Sequence, residues 1–234
     1  MSGHSKWATT KRRKAAVDAK RSSLFTKLTN TISVAAREGG DPDSNFKLRM
    51  AIDKARSFSV PKENIERAIK RGTGELGGEQ IEEITYEGYG PSGVAVIVEC
   101  LTDNKNRTSS NLKHLFNQYD GSLAASGSVA WQFERKGLII LANNNLDEAK
   151  QLKIIEAGAE DLEEQEGQTW IYTKATELEK VKNNLNNFTV IEASLTWVAK
   201  DKIKVENPDK LNNFFEKLDD LDEVNNIYSN AQLT

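Results

Sequence analysis

The sequence is poor in the residue types that most protein chemistry needs. Its 234 residues hold one cysteine, Cys100, and two histidines, His4 and His114. A lone thiol cannot close an intramolecular disulfide, so a reducing, cytoplasmic setting is expected. No Cys-x-x-Cys, His-Glu-x-x-His or Gly-x-Ser-x-Gly pattern occurs. The zinc and nucleophile signatures are therefore missing, and enzyme function has poor support. His114 has no Cys or Asp at ligand spacing and reads as a helix-surface histidine. Cys100 lies in an apolar run and reads as a buried structural thiol. No apolar run approaches the ~18 residues of a membrane span. The charges near the N-terminus lack an apolar stretch behind them, so no secretory signal is expected. Gly stands at position 3 and not 2, so the myristoylation pattern is absent. If Met1 were removed, Ser2-Gly3-His4 could offer Cu(II) or Ni(II) a four-nitrogen planar site. With Met1 retained that geometry is lost, and no metal or cofactor is expected.

Two glycine patterns invite a nucleotide reading. "GTGELG" (Gly72, Gly74, Gly77) and "GYGPSG" (Gly88, Gly90, Gly93) both fit G-x-G-x-x-G. A dinucleotide site needs a strand before the pattern and a helix after it, so that pyrophosphate meets a helix N-terminus. The first follows a helical pattern and precedes a strand; the second joins two strands. An interdomain hinge and a hairpin turn explain them. The acidic stretch "AEDLEEQEG" at 159–167 reads as a solvated face rather than a cation site.

What the sequence does have is charge, unevenly placed. The whole chain carries 32 Lys+Arg and 35 Asp+Glu, a net of −3. Residues 1–74 hold 17 basic and 7 acidic residues, a net of +10, and the rest holds 15 and 28, a net of −13. The first 21 residues alone carry Lys6, Lys11, Arg12, Arg13, Lys14, Lys20 and Arg21 against Asp18. Basic surface on one part of an acidic protein is the electrostatic footprint of nucleic-acid binding. The plainer alternative is attraction between the two parts of the chain.

Periodicity divides the chain. Residues 11–21 read as a short polar helix. Ser22 or Ser23 is placed to cap a second, carrying Leu24, Phe25, Leu28, Ile32, Ala35 and Ala36 and ended by Gly39-Gly40. Asp43 or Ser44 is placed to cap a third, with Leu48, Ala51, Ile52 and Ala55 inward. Pro61 suits the first turn of a fourth, with Ile65, Ala68 and Ile69 inward and Gly72 at C′. The period then becomes two. Strands are expected at 81–87, 94–101 and 129–134, with a helix at 105–119 presenting Leu112, Leu115, Phe116 and Tyr119. The segments 137–142, 146–157, 159–164, 168–173, 176–187 and 189–198 give the order βαββαβ of a ferredoxin-like sandwich. The tail adds a short strand near 202–205, a helix at 208–219 and a strand at 223–228. The expected fold is α+β: an all-helical domain over 1–75, then two ferredoxin-like α/β sandwiches. The second of these, residues 136–199, is inserted into a discontinuous domain of 76–135 plus 200–234.

Three groups of residues are candidates for binding nucleic acid. In the arm, Lys6, Lys11, Arg12, Arg13, Lys14, Lys20 and Arg21 supply phosphate contacts, and Trp7 a face for a base. Trp7 has a second reading, as a plug folded back on the Leu24–Ile32 helix. Arg67, Lys70 and Arg71 lie at i, i+3 and i+4, on one helix face. "TDNKNRTSSN" (102–111) brings Lys105 and Arg107 to a helix N-terminus that suits an anion, or simply a capped helix.

"GHSKW", "RRKAAVDAKR", "VAAREGG", "LRMAIDKA", "NIERAIKRGTGE", "ITYEGYGPSGVAVIVECLTDNKNRT" and "ASGSVAWQFERKG" together resemble the YebC family, which includes the mitochondrial translational activator of cytochrome oxidase. The resemblance is dense over residues 3–137 and returns in "LDDLDEVNNIYSNA". It implies three domains and a cytoplasmic, non-enzymatic regulator of gene expression. Its implied partner is DNA, in transcription regulation, or ribosomal RNA and the ribosome, in translational activation. No helix-turn-helix with a recognition helix is evident, and an arm with a stacking residue suits structured RNA at least as well as DNA. A different class also fits the charges: a protein-interaction module acting through its acidic domains.

Overall fold

The computed structural model describes residues 18–77, 80–142, 146–165, 167–206 and 208–232. The chain divides into two compact units, Met1–Glu134 with Val198–Thr234, and Arg135–Trp197. The class is α+β, with N-terminal helices followed by antiparallel sheets.

The first unit begins with three helices, α1 (Asp18–Ala36), α2 (Phe46–Ser57) and α3 (Lys62–Gly72). Leu28, Ile32, Ala35 and Ala36 of α1 pack with Leu48, Ala51, Ile52 and Ala55 of α2 and with Ile65 and Ala68 of α3. These are the inward positions that helical spacing picks out. Three boundaries differ from expectation. Ser22 and Ser23 do not start a helix; they lie inside α1, and the Ser23 hydroxyl donates to Asp222 Oδ1 at 2.6 Å. The cap of α2 is Asn45 rather than Asp43 or Ser44. Its side chain accepts from Leu48 N–H at 3.0 Å while its amide donates to the carbonyls of Ala35 and Gly39, so one residue closes α1 and opens α2. Gly72 is the last residue of α3 and not the C′ glycine. A Cβ there would lie 2.2 Å from the Ser33 carbonyl oxygen and 2.7 Å from Ala36 Cβ, so the glycine lets α3 touch α1 backbone to backbone. Gly74, at φ +84, takes the left-handed position instead.

A four-stranded sheet follows, in the order β3-β1-β2-β9. Its strands are β1 (Glu82–Tyr89), β2 (Ala95–Thr102), β3 (Ser122–Ala124) and β9 (Val224–Ser229). β1 and β2 form an antiparallel hairpin from Glu82↔Thr102 to Tyr89↔Ala95, closed through "GYGPSG", where Ser92 and Gly93 have φ 64 and 72. β2 is buried along its whole length, and alternate side chains from Val94 onward share one face. Val94, Val96, Val98 and Cys100 meet Leu112 and Phe116 of α4 (Lys105–Gln118) and Leu211, Phe214, Phe215 and Leu218 of α7 (Pro208–Asp219). Burial pushes the pKa of the Cys100 thiol far up, and the charge of Glu223 adds to the shift. That thiol stays protonated and packs as an apolar group. His114 is exposed on α4.

The helices are fastened to this sheet domain by polar contacts. The Lys27 ammonium, on a residue 4% exposed, donates to the backbone and side chain of Asp219. The Thr31 hydroxyl donates to Asn225 Oδ1, and the Arg37 guanidinium to the Ile81 carbonyl. Part of the attraction between basic and acidic segments is thus used inside the fold. A two-stranded parallel pair, β8 (Ile203–Lys204) with β10 (Ala231–Gln232), completes the unit.

The second unit has strands β4 (Phe133–Leu141), β5 (Asp161–Gln165), β6 (Gln168–Lys174) and β7 (Val190–Ala199), with helices α5 (Glu148–Glu156) and α6 (Leu178–Asn184). The order β5-β6-β4-β7, with β6 antiparallel to both β4 and β5, is that of a ferredoxin-like sheet. The expected strand at 129–134 is corrected: Ala130–Gln132 is a short 3-10 turn, and β4 runs unbroken from Phe133 into the second sheet. The strand of the first sheet in that region is β3, three residues long, which alternation alone does not announce.

Candidate nucleic-acid interface

α3 carries opposite chemistry on its two faces. Ile65 and Ala68 are buried against α1, while Arg67 and Lys70 are exposed and Arg71 is half-buried. None of these three cations pairs with a carboxylate among the described residues. Other cations of the helical segment are engaged: Lys47 with Glu38 at 2.6 Å, Arg56 with Asp53 at 3.8 Å and Lys62 with Glu66 at 3.5 Å. Arg49 donates to the carbonyls of Pro42 and Asp43. The triad at 67, 70 and 71 is consequently the concentrated positive face of the helical segment. Lys70 and Arg71 also sit in the last turn of α3, where cations offset the helix dipole, so helix stability explains part of their placement.

The second cluster is differently used. Lys105 is paired with Glu82 at 2.6 Å. Arg107 bridges Asp103 at 2.9 Å and Glu223 at 3.2 Å. Asn104 caps α4 by accepting from Arg107 N–H at 3.0 Å. An anion arriving at this helix start would have to displace carboxylates already in place. Of the arm, Arg21 is exposed on α1, its guanidinium 5.3 Å from the centroid of the Phe25 ring. Lys20 lies on α1. Lys6, Trp7, Lys11, Arg12, Arg13 and Lys14 lie outside the described residues, as do residues 11–17 of the polar helix expected at 11–21, whose residues 18–21 are the start of α1.

Sequence reasoning missed a feature around Glu87. This β1 residue is 4% exposed, and its carboxylate accepts three backbone bonds: from Gly127 at 2.7 Å, Val129 at 2.7 Å and Ala130 at 2.8 Å. Burial alone would raise its pKa; the three amides outweigh it and hold the carboxyl below its ordinary range. The loop so gathered ends in Trp131, 67% exposed. The glycine at 127, which takes φ +87 in the structure, is the sequence signal that 125–131 turns rather than extends.

Among the described residues no cluster of His, Cys, Asp or Glu could hold a metal ion. No helix there is long and apolar enough to cross a membrane.

Comparison with known proteins places this architecture. Residues 5–75 match the family model described as the TACO1/YebC protein N-terminal domain, and residues 81–231 match the TACO1/YebC second and third domain. A "Probable transcriptional regulatory protein" of Thermotoga maritima is 50% identical over all of this chain and 94% of its own length. One of Caldanaerobacter subterraneus is 46% identical over all of this chain and 99% of its own. Among solved structures, a conserved hypothetical protein from Aquifex aeolicus superposes with a TM-score of 0.89 at 44% identity, covering 98% of both chains. Matches that span both the helical segment and the sheets leave one conclusion: the chain belongs to the YebC family.

Proposed function

We propose that this protein is a non-enzymatic, cytoplasmic regulator of gene expression that binds nucleic acid through residues 1–75, most directly as a DNA-binding transcriptional regulator. In this reading residues 76–135 with 200–234 form a discontinuous second domain, and 136–199 a third inserted in it. The observation that carries the proposal is the concentration of positive charge: a net +10 over residues 1–74, with Arg67, Lys70 and Arg71 presented together on α3. The names of the family's curated relatives support a regulatory role.

One feature leaves room for an RNA partner as a second reading. The triad lies toward the C-terminal end of α3, whereas a recognition helix reads bases from its N-terminal residues. Cations there suit backbone phosphates, which DNA and structured RNA both offer. The two readings share one electrostatic prediction. Fluorescence anisotropy of the full chain with a labelled DNA duplex and with an RNA hairpin, over a range of salt, gives the slope of log affinity against log salt. Replacing Arg67, Lys70 and Arg71 together by Ala lowers that slope by about 2 to 3 for whichever nucleic acid is bound. Arg67 and Lys70 are exposed and Arg71 is half-buried, so thermal melting of the triple variant accompanies the titrations. An unchanged slope and affinity would mean α3 is not part of the binding surface.

A further inference from the structure

Trp131 is exposed, yet its indole N–H and its backbone are both held by hydrogen bonds. Its indole N–H donates to the Ser128 carbonyl at 3.0 Å. Its own carbonyl accepts from the Lys200 ammonium at 2.8 Å, and the next carbonyl, of Gln132, accepts from Lys200 N–H at 2.9 Å. The Gln132 side chain accepts from Asn230 at 3.1 Å. Upstream, Gly127, Val129 and Ala130 are held by buried Glu87, and the Ser128 carbonyl also accepts from the Tyr89 hydroxyl at 3.3 Å. A large apolar side chain is thus displayed to solvent on a frame of polar bonds that runs from exposed ones at Ser128 and Lys200 to a buried one between Val129 and Glu87. With its one donor already engaged, the ring offers a partner only its π surface.

The charges beside it narrow the partner. Lys200 contacts the Trp131 backbone directly, and Lys202 and Lys204 follow at alternate positions in "KDKIK". These residues stand in a part of the chain whose net charge is otherwise strongly negative. Neither Lys202 nor Lys204 pairs with a carboxylate among the described residues. An immobilised aromatic face followed by spaced cations is the arrangement by which proteins take single-stranded nucleic acid: a base stacks and the phosphates follow the cations.

We infer that Trp131 is a base-stacking platform for single-stranded nucleic acid, with Lys200, Lys202 and Lys204 tracking its backbone. The inference rests on the nucleic-acid reading above and adds to it a second contact region, a substrate form and a residue. The ring confers little sequence preference, because every base has a face to stack.

The test uses the full chain and a fluorescein-labelled 20-nucleotide oligouridylate, followed by anisotropy. Trp131→Ala weakens binding about 5- to 150-fold, the loss of one stacked base. Trp131→Phe keeps most of the affinity, and Trp131→Leu, which keeps the apolar bulk without the ring, behaves like Ala. Thermal melting of each variant accompanies the binding curves. If Trp131→Ala melts early, the Leu and Phe pair carries the comparison. Wild-type binding that survives unchanged in both Ala and Leu variants overturns this inference and leaves the nucleic-acid reading intact. Absence of wild-type binding to the oligonucleotide, with retained binding to a duplex or hairpin, overturns the single-strand assignment alone. Absence of binding to all three overturns both.

Discussion

Glu87→Ala should lower the stability of the first unit by about 2–4 kcal/mol. Three backbone N–H groups donate to that carboxylate; Val129, which carries one of them, is fully buried, while Ala130 is half-buried and Gly127 exposed. Each buried donor left without an acceptor costs about 1–3 kcal/mol, and bonds to an ionised acceptor are stronger than neutral ones. Glu87→Gln retains an acceptor but sets an amide N–H against one of the donors, so it should fall between wild type and Ala. The pH dependence has a defined sign. The folded carboxyl titrates below its ordinary 4.5, so its stabilisation is complete above that value. It is lost as pH falls through the lower, folded value. Urea denaturation at neutral and at acid pH checks both points. Wild type should lose stability relative to Glu87→Gln as the solution is acidified, and a constant difference between the two would refute the role given to the carboxylate. The same variants should loosen Trp131 and so weaken oligonucleotide binding beyond their effect on melting.

The second large effect is expected in the arm. Replacing Arg12, Arg13 and Lys14 by Ala removes three cations from the densest positive stretch of the chain. If each neutralises one phosphate, the salt slope falls by up to about 3, and affinity near physiological salt falls on the order of 100-fold. The loss should be similar across sequences, because phosphate contacts carry no sequence information. Trp7→Ala separates the two readings of that residue. Stacking on a base predicts a binding loss of about 1–3 kcal/mol with an unchanged melting temperature. A core plug predicts a stability loss of about 3–5 kcal/mol.

Much of this molecule is legible from periodicity. The inward faces of α2 and α3, the apolar run of β2, the span 208–219 and the βαββαβ order of the second unit follow from side-chain spacing and apolar content. What spacing does not reach are contacts between residues far apart in sequence. Ser22 and Ser23 resemble caps locally, but α1 runs through them and Ser23 bonds Asp222. Gly72 resembles a C′ glycine, yet its missing Cβ is required by Ser33 and Ala36 on another helix. Residues 129–134 alternate like a strand, yet Glu87, on β1, draws the amides of Gly127, Val129 and Ala130 into a turn. The candidate interface shows the same division. The i, i+3, i+4 spacing exposes the triad on α3, whereas only the fold reveals that Lys105 and Arg107 already face Glu82, Asp103 and Glu223.

The central claim is that the basic N-terminal segment meets nucleic acid. Ultraviolet crosslinking in living cells, followed by digestion and mass spectrometry of the recovered protein, tests it most directly. Peptides from residues 1–74 should carry crosslinked nucleotides, and the bound DNA or RNA, sequenced in parallel, identifies which nucleic acid is the partner. Recovery of the protein with crosslinks only to other proteins, and no nucleotide on any peptide from 1–74, would contradict the account and favour a module that acts through its acidic domains.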